Sequence, residues 1–320
     1  MLHTPIKKFN RFIVKKSVFF LPEERRLEIE RRHRGWEQYR KLRRSDCAVA
    51  SYGNSGRTWL RVMVSRFYQA KYGFDKPRLI NFDNFHRRNA AIPKMFFTHD
   101  NFIKDYTGNV ETKADFYGIE TVLLARNPAD VSVSQYFQWQ HRMKLEKKAL
   151  NRFPPDGSEC ELFDFVMRAE SGLPRIIHFL NVWANDMDNL ADFLMVRYED
   201  LRTDTVAQLR DILAFVGTPA TNDELQDAVD YGSIENMKKL ETTSAGWVGG
   251  GRLKPRDKNN PDSYKVRRAK VGGYRDYFDT QQLAEVDRLL TDTLSPIFGY
   301  GLHSEHDAAG DTPAVAGQAS

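Results

Sequence analysis

Four short apolar runs decide what this chain of 320 residues can fold into. They lie at Ala48–Tyr52, Met95–Thr98, Ile119–Ala125 and Phe193–Val196. Each reads as a strand buried on both faces. Helical patterns follow at 57–70, 128–143, 173–188, 203–216 and 281–294. This alternation predicts an α/β fold with a central, mostly parallel sheet flanked by helices on both faces. Ligands of such sheets gather at the carboxyl ends of the strands. The residues that follow each run are therefore where chemistry is expected.

After the first run the sequence reads SYGNSGRTWL, with Gly53, Ser55 and Gly56 before a helix that begins at Arg57, Thr58 and Trp59. A strand, a small-residue loop and a helix N-terminus make an anion site, since loop amides and the helix dipole both favour negative charge. The Gly-Lys-Ser/Thr of nucleotide-triphosphate loops is missing, and Asn54 stands near where its lysine is expected. The plainer reading is an ordinary strand–helix connection.

Three more segments carry candidate chemistry. In LARNPADVSVSQYF, Arg126 ends a strand and Ser134 lies on the helix that Pro128 opens. The two can converge on one phosphate, with arginine supplying a planar fork. The alternative is that Arg126 pairs with Asp130 as a cap. In KMFFTHD a strand delivers His99 at its end, a general base near neutral pH or simply a structural histidine. In VRRAKVGGYRDYF, Arg267, Arg268 and Lys270 precede the Gly272–Gly273 turn. This segment either closes on a polyanion or is a solvated loop.

Composition bounds the rest. Apolar residues make up 41% and charged residues 28%, as in globular proteins. Two cysteines, Cys47 and Cys160, cannot form a disulfide framework and fit a reduced, cytoplasmic compartment. No run is apolar over the roughly 18 residues that a membrane span needs, and the N-terminus lacks the core of a secretory signal. Residues 1–45 hold 14 Lys/Arg against 5 Glu, whereas the whole chain has a net charge of only +5. The basic character thus belongs to an N-terminal arm. No recognition motif accompanies it, so nucleic acid is not an expected partner. Residues 6–20 mix aromatics and lysines along a helical period. They read either as an arm packed on its own domain or as a contact of residues 1–20 with an anionic membrane surface. The expected organisation is a basic helical arm over 1–45, a catalytic domain over 46–302 and a disordered tail over 303–320. Within the domain, 246–263 reads as a lid or an unstructured loop.

Taken together, the segments resemble the sulfotransferases that use 3′-phosphoadenosine-5′-phosphosulfate (PAPS) as sulfuryl donor. SYGNSGRTWL resembles the family's Y-P-K-S-G-x-T-W loop, and RNPADVSVS its R-N-P-x-D-x-x-x-S signature. FTH resembles K-T-H, RYED the segment whose tyrosine lies near the adenine, and GSIENM resembles T-S-F-x-x-M. RRAKVGGYRDYF resembles the closing R-K-G-x-x-G-x-W-K segment. The order agrees across roughly residues 48–280, with the bacterial branch the closer likeness. The resemblance implies a P-loop-like architecture and transfer of a sulfuryl group to a hydroxyl or amine. It assigns Ser55, Gly56, Arg57 and Thr58 to the phosphosulfate end and Trp59 to the adenine. Arg126 and Ser134 would bind the 3′-phosphate, Tyr198 and Ser233 would border the base, and Arg267, Arg268 and Ala269 would close over the 3′-phosphate. His99 would take the acceptor's proton, and no metal is required. The product would be 3′-phosphoadenosine-5′-phosphate (PAP).

Asn54 and Phe97 replace family lysines, and Gly232 and Ile234 replace the usual Thr and Phe. Two consequences of Asn54 stand open: Arg57 supplies the missing charge, or the chain binds PAP/PAPS without transfer. A nucleotide kinase is the remaining enzymatic alternative. A small molecule, a saccharide or a lipid suits as acceptor, and neither its identity nor the oligomeric state is legible.

Overall fold

A computed structural model describes residues 3–75, 78–243 and 255–301. The expected tail over 303–320 and the 246–254 part of the long loop lie outside the described residues. Helices α1 (His3–Ser17) and α2 (Glu23–Leu42) lead into strand β1 (Cys47–Ser51) and helix α3 (Arg57–Lys71). Strand β2 (Met95–Thr98) and helix α4 (Ile103–Thr107) follow, then strand β3 (Glu120–Ala125) and helix α5 (Pro128–His141). Helices α6 (Leu145–Leu150), α7 (Leu162–Met167) and α8 (Leu173–Asp186) precede strand β4 (Phe193–Arg197). The chain continues with helices α9 (Tyr198–Thr203), α10 (Thr205–Phe215), α11 (Asn222–Tyr231), α12 (Ile234–Thr242) and α13 (Thr280–Thr293).

The four strands form one sheet in the order β2-β1-β3-β4, and every pairing is parallel. Ala50 pairs with Thr98, Ser51 with Leu124 and Ala125 with Arg197, so all four strands end along one edge. The strand period of two sorts the core. Cys47 and Val49 face a cluster with Leu60, Met63 and Phe67 of α3 and Leu209, Ile212 and Leu213 of α10. Ala48 and Ala50 face the other cluster, with Ala129 and Val133 of α5, Trp183 of α8 and Leu290 of α13. Both faces are covered, as the apolar runs require.

The element boundaries depart from the sequence pattern where a side chain caps a helix. The helix expected over 203–216 is interrupted because the Asp204 carboxylate accepts a hydrogen bond from the Ala207 amide and starts α10 afresh. Helix α11, which lacks a long apolar period, is opened by a reciprocal cap between Thr221 and Glu224. Along α2 the N-terminal region packs on the rest of the domain. Arg31 is buried and reaches Asp105 of α4 at 3.0 Å, and Leu42 is fully buried. Gly35 lets α2 approach α4 closely, because a Cβ there would meet the Phe102 carbonyl oxygen at 2.1 Å.

At the end of β2 the backbone turns through Asp100 at φ 50°, in the left-handed region. Its carboxylate holds Lys113 at 2.7 Å, and both side chains are 5% exposed. Removing one member strands a buried charge. Asp100→Ala is expected to lose about 3–5 kcal/mol of stability in urea titration. Asp100→Ala combined with Lys113→Met should recover much of it.

Candidate active site

Each strand delivers a polar group to the same edge. β1 runs into the loop 52–56, β2 into His99, β3 into Arg126 and β4 into Tyr198. A cavity of about 610 Å³ opens there. It is lined by Asn54, Gly56, Arg57, Thr58, Trp59, His99, Arg126, Ser134, Tyr198, Arg267, Arg268 and Ala269. Ser55 and Ser233 stand outside this lining. Ser55 is 2% exposed beneath the loop, and the Ser233 hydroxyl caps α12 by accepting from the Asn236 amide.

The loop has the backbone of an anion cradle. Asn54 has φ 65° and Gly56 φ 84°, both left-handed. Glycine is needed at 56 on a second count, since a Cβ would meet the Tyr198 ring at 2.6 Å. The Asn54 amide donates to the Gln135 side-chain oxygen at 2.7 Å. It is therefore fixed sideways onto α5. One cation beside the loop came unannounced by the sequence. Lys265 donates from Nζ to the Thr58 hydroxyl at 3.0 Å, at the start of α3. Its signal was adjacency alone, two residues before Arg267 in a basic segment.

Arg126 is held from three sides. Its guanidinium donates to the Asn54 carbonyl at 3.0 Å and to the Lys270 carbonyl at 3.4 Å, and it stacks 4.5 Å from the Tyr198 ring. Burial opposes its charge, yet Asp130, Tyr198 and Glu199 outweigh that and push its pKa up. Its Nε is buried with no hydrogen-bond partner among the described residues. Such an orphan donor in a cationic cradle fits an oxyanion. Asp130 does lie 3.5 Å from Arg126, but its main work is elsewhere. Its two carboxylate oxygens accept from the Gly272 and Tyr274 amides at 2.9 and 3.0 Å.

A second buried carboxylate clamps the other end of that segment. Glu241 accepts from the Lys265 and Val266 amides, each at 2.9 Å. Between these clamps Arg267 lies 3.6 Å from the Phe137 ring and donates to the Tyr277 hydroxyl at 2.6 Å. Arg268 pairs with Asp276. Ala269 sits at φ 51°, a conformation that costs a non-glycine residue about 1 kcal/mol or more. The segment predicted to close over a polyanion is thus fastened in place over the cavity.

At the opposite side, the Trp59 indole donates to the Gly232 carbonyl at 2.7 Å and meets the Tyr198 ring edge-on at 6.0 Å. The two rings give this side of the cavity an aromatic lining. His99 lies across the cavity. Its Nδ1 is 3.0 Å from the Ser51 carbonyl oxygen. A carbonyl only accepts, so Nδ1 carries the proton and Nε2 keeps its lone pair. Burial, then the positive charges of Arg57, Lys265 and Lys147, hold the imidazole well below its ordinary pKa of 6.5. It is a neutral imidazole with a fixed tautomer. Phe97, where the resemblance expected lysine, carries the Arg61 guanidinium 4.8 Å above its ring.

Comparisons with known proteins give the family and the fold. Residues 44–297 match the sulfotransferase domain. Cytosolic sulfotransferase 14 of Arabidopsis thaliana is 26% identical over 215 residues, 64% of this chain and 55% of that protein. The chain thus spans about half the length of that relative. Flavonol 3-sulfotransferase of Flaveria bidentis is 23% identical over 279 residues, 81% of this chain and 84% of that protein. The crystal structure of mouse sulfotransferase SULT7A1 complexed with PAP superimposes with a TM-score of 0.52 at 20% identity. That match covers 78% of this chain and 84% of the mouse chain, and it is a likeness of fold. The chain belongs to the sulfotransferase domain family.

The depressed pKa of His99 makes a thermodynamic prediction. Below about pH 6.5 the unfolded chain binds a proton on this residue and the folded chain does not. Stability is therefore lost as pH falls from 6.5 towards the folded pKa, at up to about 1.4 kcal/mol per pH unit from this group. Urea unfolding of wild type and His99→Asn from pH 7.5 to 5.5 should show a shallower loss in the variant.

Proposed function

We propose that the sulfotransferase domain of this chain transfers a sulfuryl group from PAPS to a hydroxyl of a small-molecule acceptor, with His99 as general base. The observation that carries this reading is the convergence at one sheet edge of a neutral, oriented imidazole, a left-handed anion loop and a clamped cationic segment. The residues present fit the donor. Loop 54–58 and Lys265 would hold the phosphosulfate end, Trp59 and Tyr198 the base, and Arg126, Ser134 and the 267–269 segment the 3′-phosphate. When bound, PAPS supplies an activated sulfuryl group and a phosphate leaving group.

His99 Nε2 takes the acceptor proton, with Nδ1 anchored on Ser51 so that the ring need not reorient. Its neutral state persists because the ring is buried and, beyond that, because the cations Arg57, Lys265 and Lys147 lie around it. Lys265 and Arg57 meet the charge that builds on the departing oxygen, where the family lysine is replaced by Asn54. Sulfuryl transfer resembles phosphoryl transfer in asking for position and charge more than covalent work. The remaining lining includes Phe97, Phe137 and Phe153 with Arg142, Lys147 and Arg175. Aromatic walls with cations suit a phenolic or otherwise amphiphilic hydroxyl, in keeping with a relative named for flavonol sulfation.

The test is transfer of radiolabelled sulfuryl from PAPS to a panel of phenolic, saccharide and lipid acceptors. Wild type is expected to label at least one. His99→Ala should cut turnover about 10²–10⁴-fold while PAP still binds. Lys265→Ala should cost about 10²–10³-fold, and Arg57→Ala a comparable amount if the two share the charge. PAP binding without transfer to any acceptor would make this a nucleotide-binding protein with no sulfuryl transfer. Unchanged turnover in Lys265→Ala would remove that residue from the scheme.

A further inference from the structure

We propose that the outer face of α1 docks on the surface of an anionic lipid bilayer. A helix on a soluble domain normally turns its apolar side inward, and α1 is mounted the other way round. Its polar side is the one fastened to the protein. Arg11 pairs with Glu37 of α2, and Lys15 pairs with Glu146 of α6 at 2.8 Å and Glu30 of α2 at 3.6 Å.

The opposite side is apolar and faces outward. Phe9, Phe12 and Ile13 are 63%, 56% and 47% exposed, and helical spacing puts them on one face with Lys16. The Lys16 ammonium lies 5.8 Å from the Phe12 ring. Just past the helix, Phe19 and Phe20 are each 70% exposed. Among the described residues nine large apolar side chains are exposed, and five fall between residues 9 and 20. That is a cluster, whereas scattered exposed apolar residues need no explanation.

Charge selects the occupant. The first 45 residues carry nine more basic than acidic side chains, and the rest of the chain carries four more acidic than basic. A second copy of this chain would bring the same positive segment to the contact and be repelled. An anionic lipid surface accepts both the rings and the charge. Through Arg11, α1 also forms part of the cavity wall. A bilayer on its outer face therefore lies one helix away from the site.

The test is co-sedimentation of the full chain with vesicles of phosphatidylcholine alone or mixed with phosphatidylglycerol. The mixed vesicles should bind the protein at low salt and release much of it at high salt. Phe9→Ser combined with Phe12→Ser should weaken partition at least about tenfold. Lys16→Glu should weaken it on anionic vesicles only. Thermal shifts by PAP, unchanged in these variants, report that the fold and nucleotide site are intact. The proposal fails if mixed vesicles do not bind wild type, or if binding ignores the double substitution. It fails equally if sedimentation velocity reveals a dimer that the double substitution abolishes, which would give the face to a second copy.

Discussion

The parallel register of four strands is the constraint on which everything else depends. Because Ala50 pairs with Thr98, Ser51 with Leu124 and Ala125 with Arg197, the strands end level. His99, the anion loop, Arg126 and Tyr198 then fall side by side without any one of them being long-reaching. A slip of one residue in β2 would send His99 to the other face of the sheet. The bond from its Nδ1 to the last carbonyl of β1 ties the base to that same register. Strand pairing and the orientation of the imidazole are therefore one structural fact.

The site concentrates positive charge and manages it with carboxylates placed out of the way. Asp130 and Glu241 accept from backbone amides of the 265–274 segment, so they anchor the closing segment without reaching the base. Burial, and then the gathered cations, keep His99 neutral. The imidazole lone pair is then available across the neutral pH range, at the expense of its strength as a proton acceptor. The loop that carries Asn54 in place of the family lysine has a cation beside it all the same. With Lys265 bonded to Thr58, the cation reaches the loop from the far end of the domain.

Much of this was legible in the sequence. The four apolar runs gave the strands to within a residue, because fully buried parallel strands are short and continuous in pattern. Twelve of the fourteen nominated residues line the cavity, because each followed a strand or lay in the basic closing segment. Lys265 was not legible, since a lysine in a basic loop looks like any solvated charge until the chain brings it back to α3. Gln135 escaped for a similar reason, as its role depends on a side chain 81 positions away. The orientation of α1 was also hidden. Periodicity reveals that a helix has an apolar face but not which way that face points. The carboxylates that turn it outward come from α2 and α6.

A cavity built to read both a 5′ and a 3′ phosphate must discriminate between nucleotides that differ only in the latter. Titration calorimetry of PAP against adenosine 5′-monophosphate, in wild type and Arg126→Met, measures that discrimination. Wild type should prefer PAP by about a hundredfold, two charge-assisted hydrogen bonds' worth. The variant should narrow that preference to about tenfold or less, with the monophosphate bound much as before. Equal affinity for the two nucleotides in wild type, or a preference that survives Arg126→Met intact, would contradict this reading of the cavity.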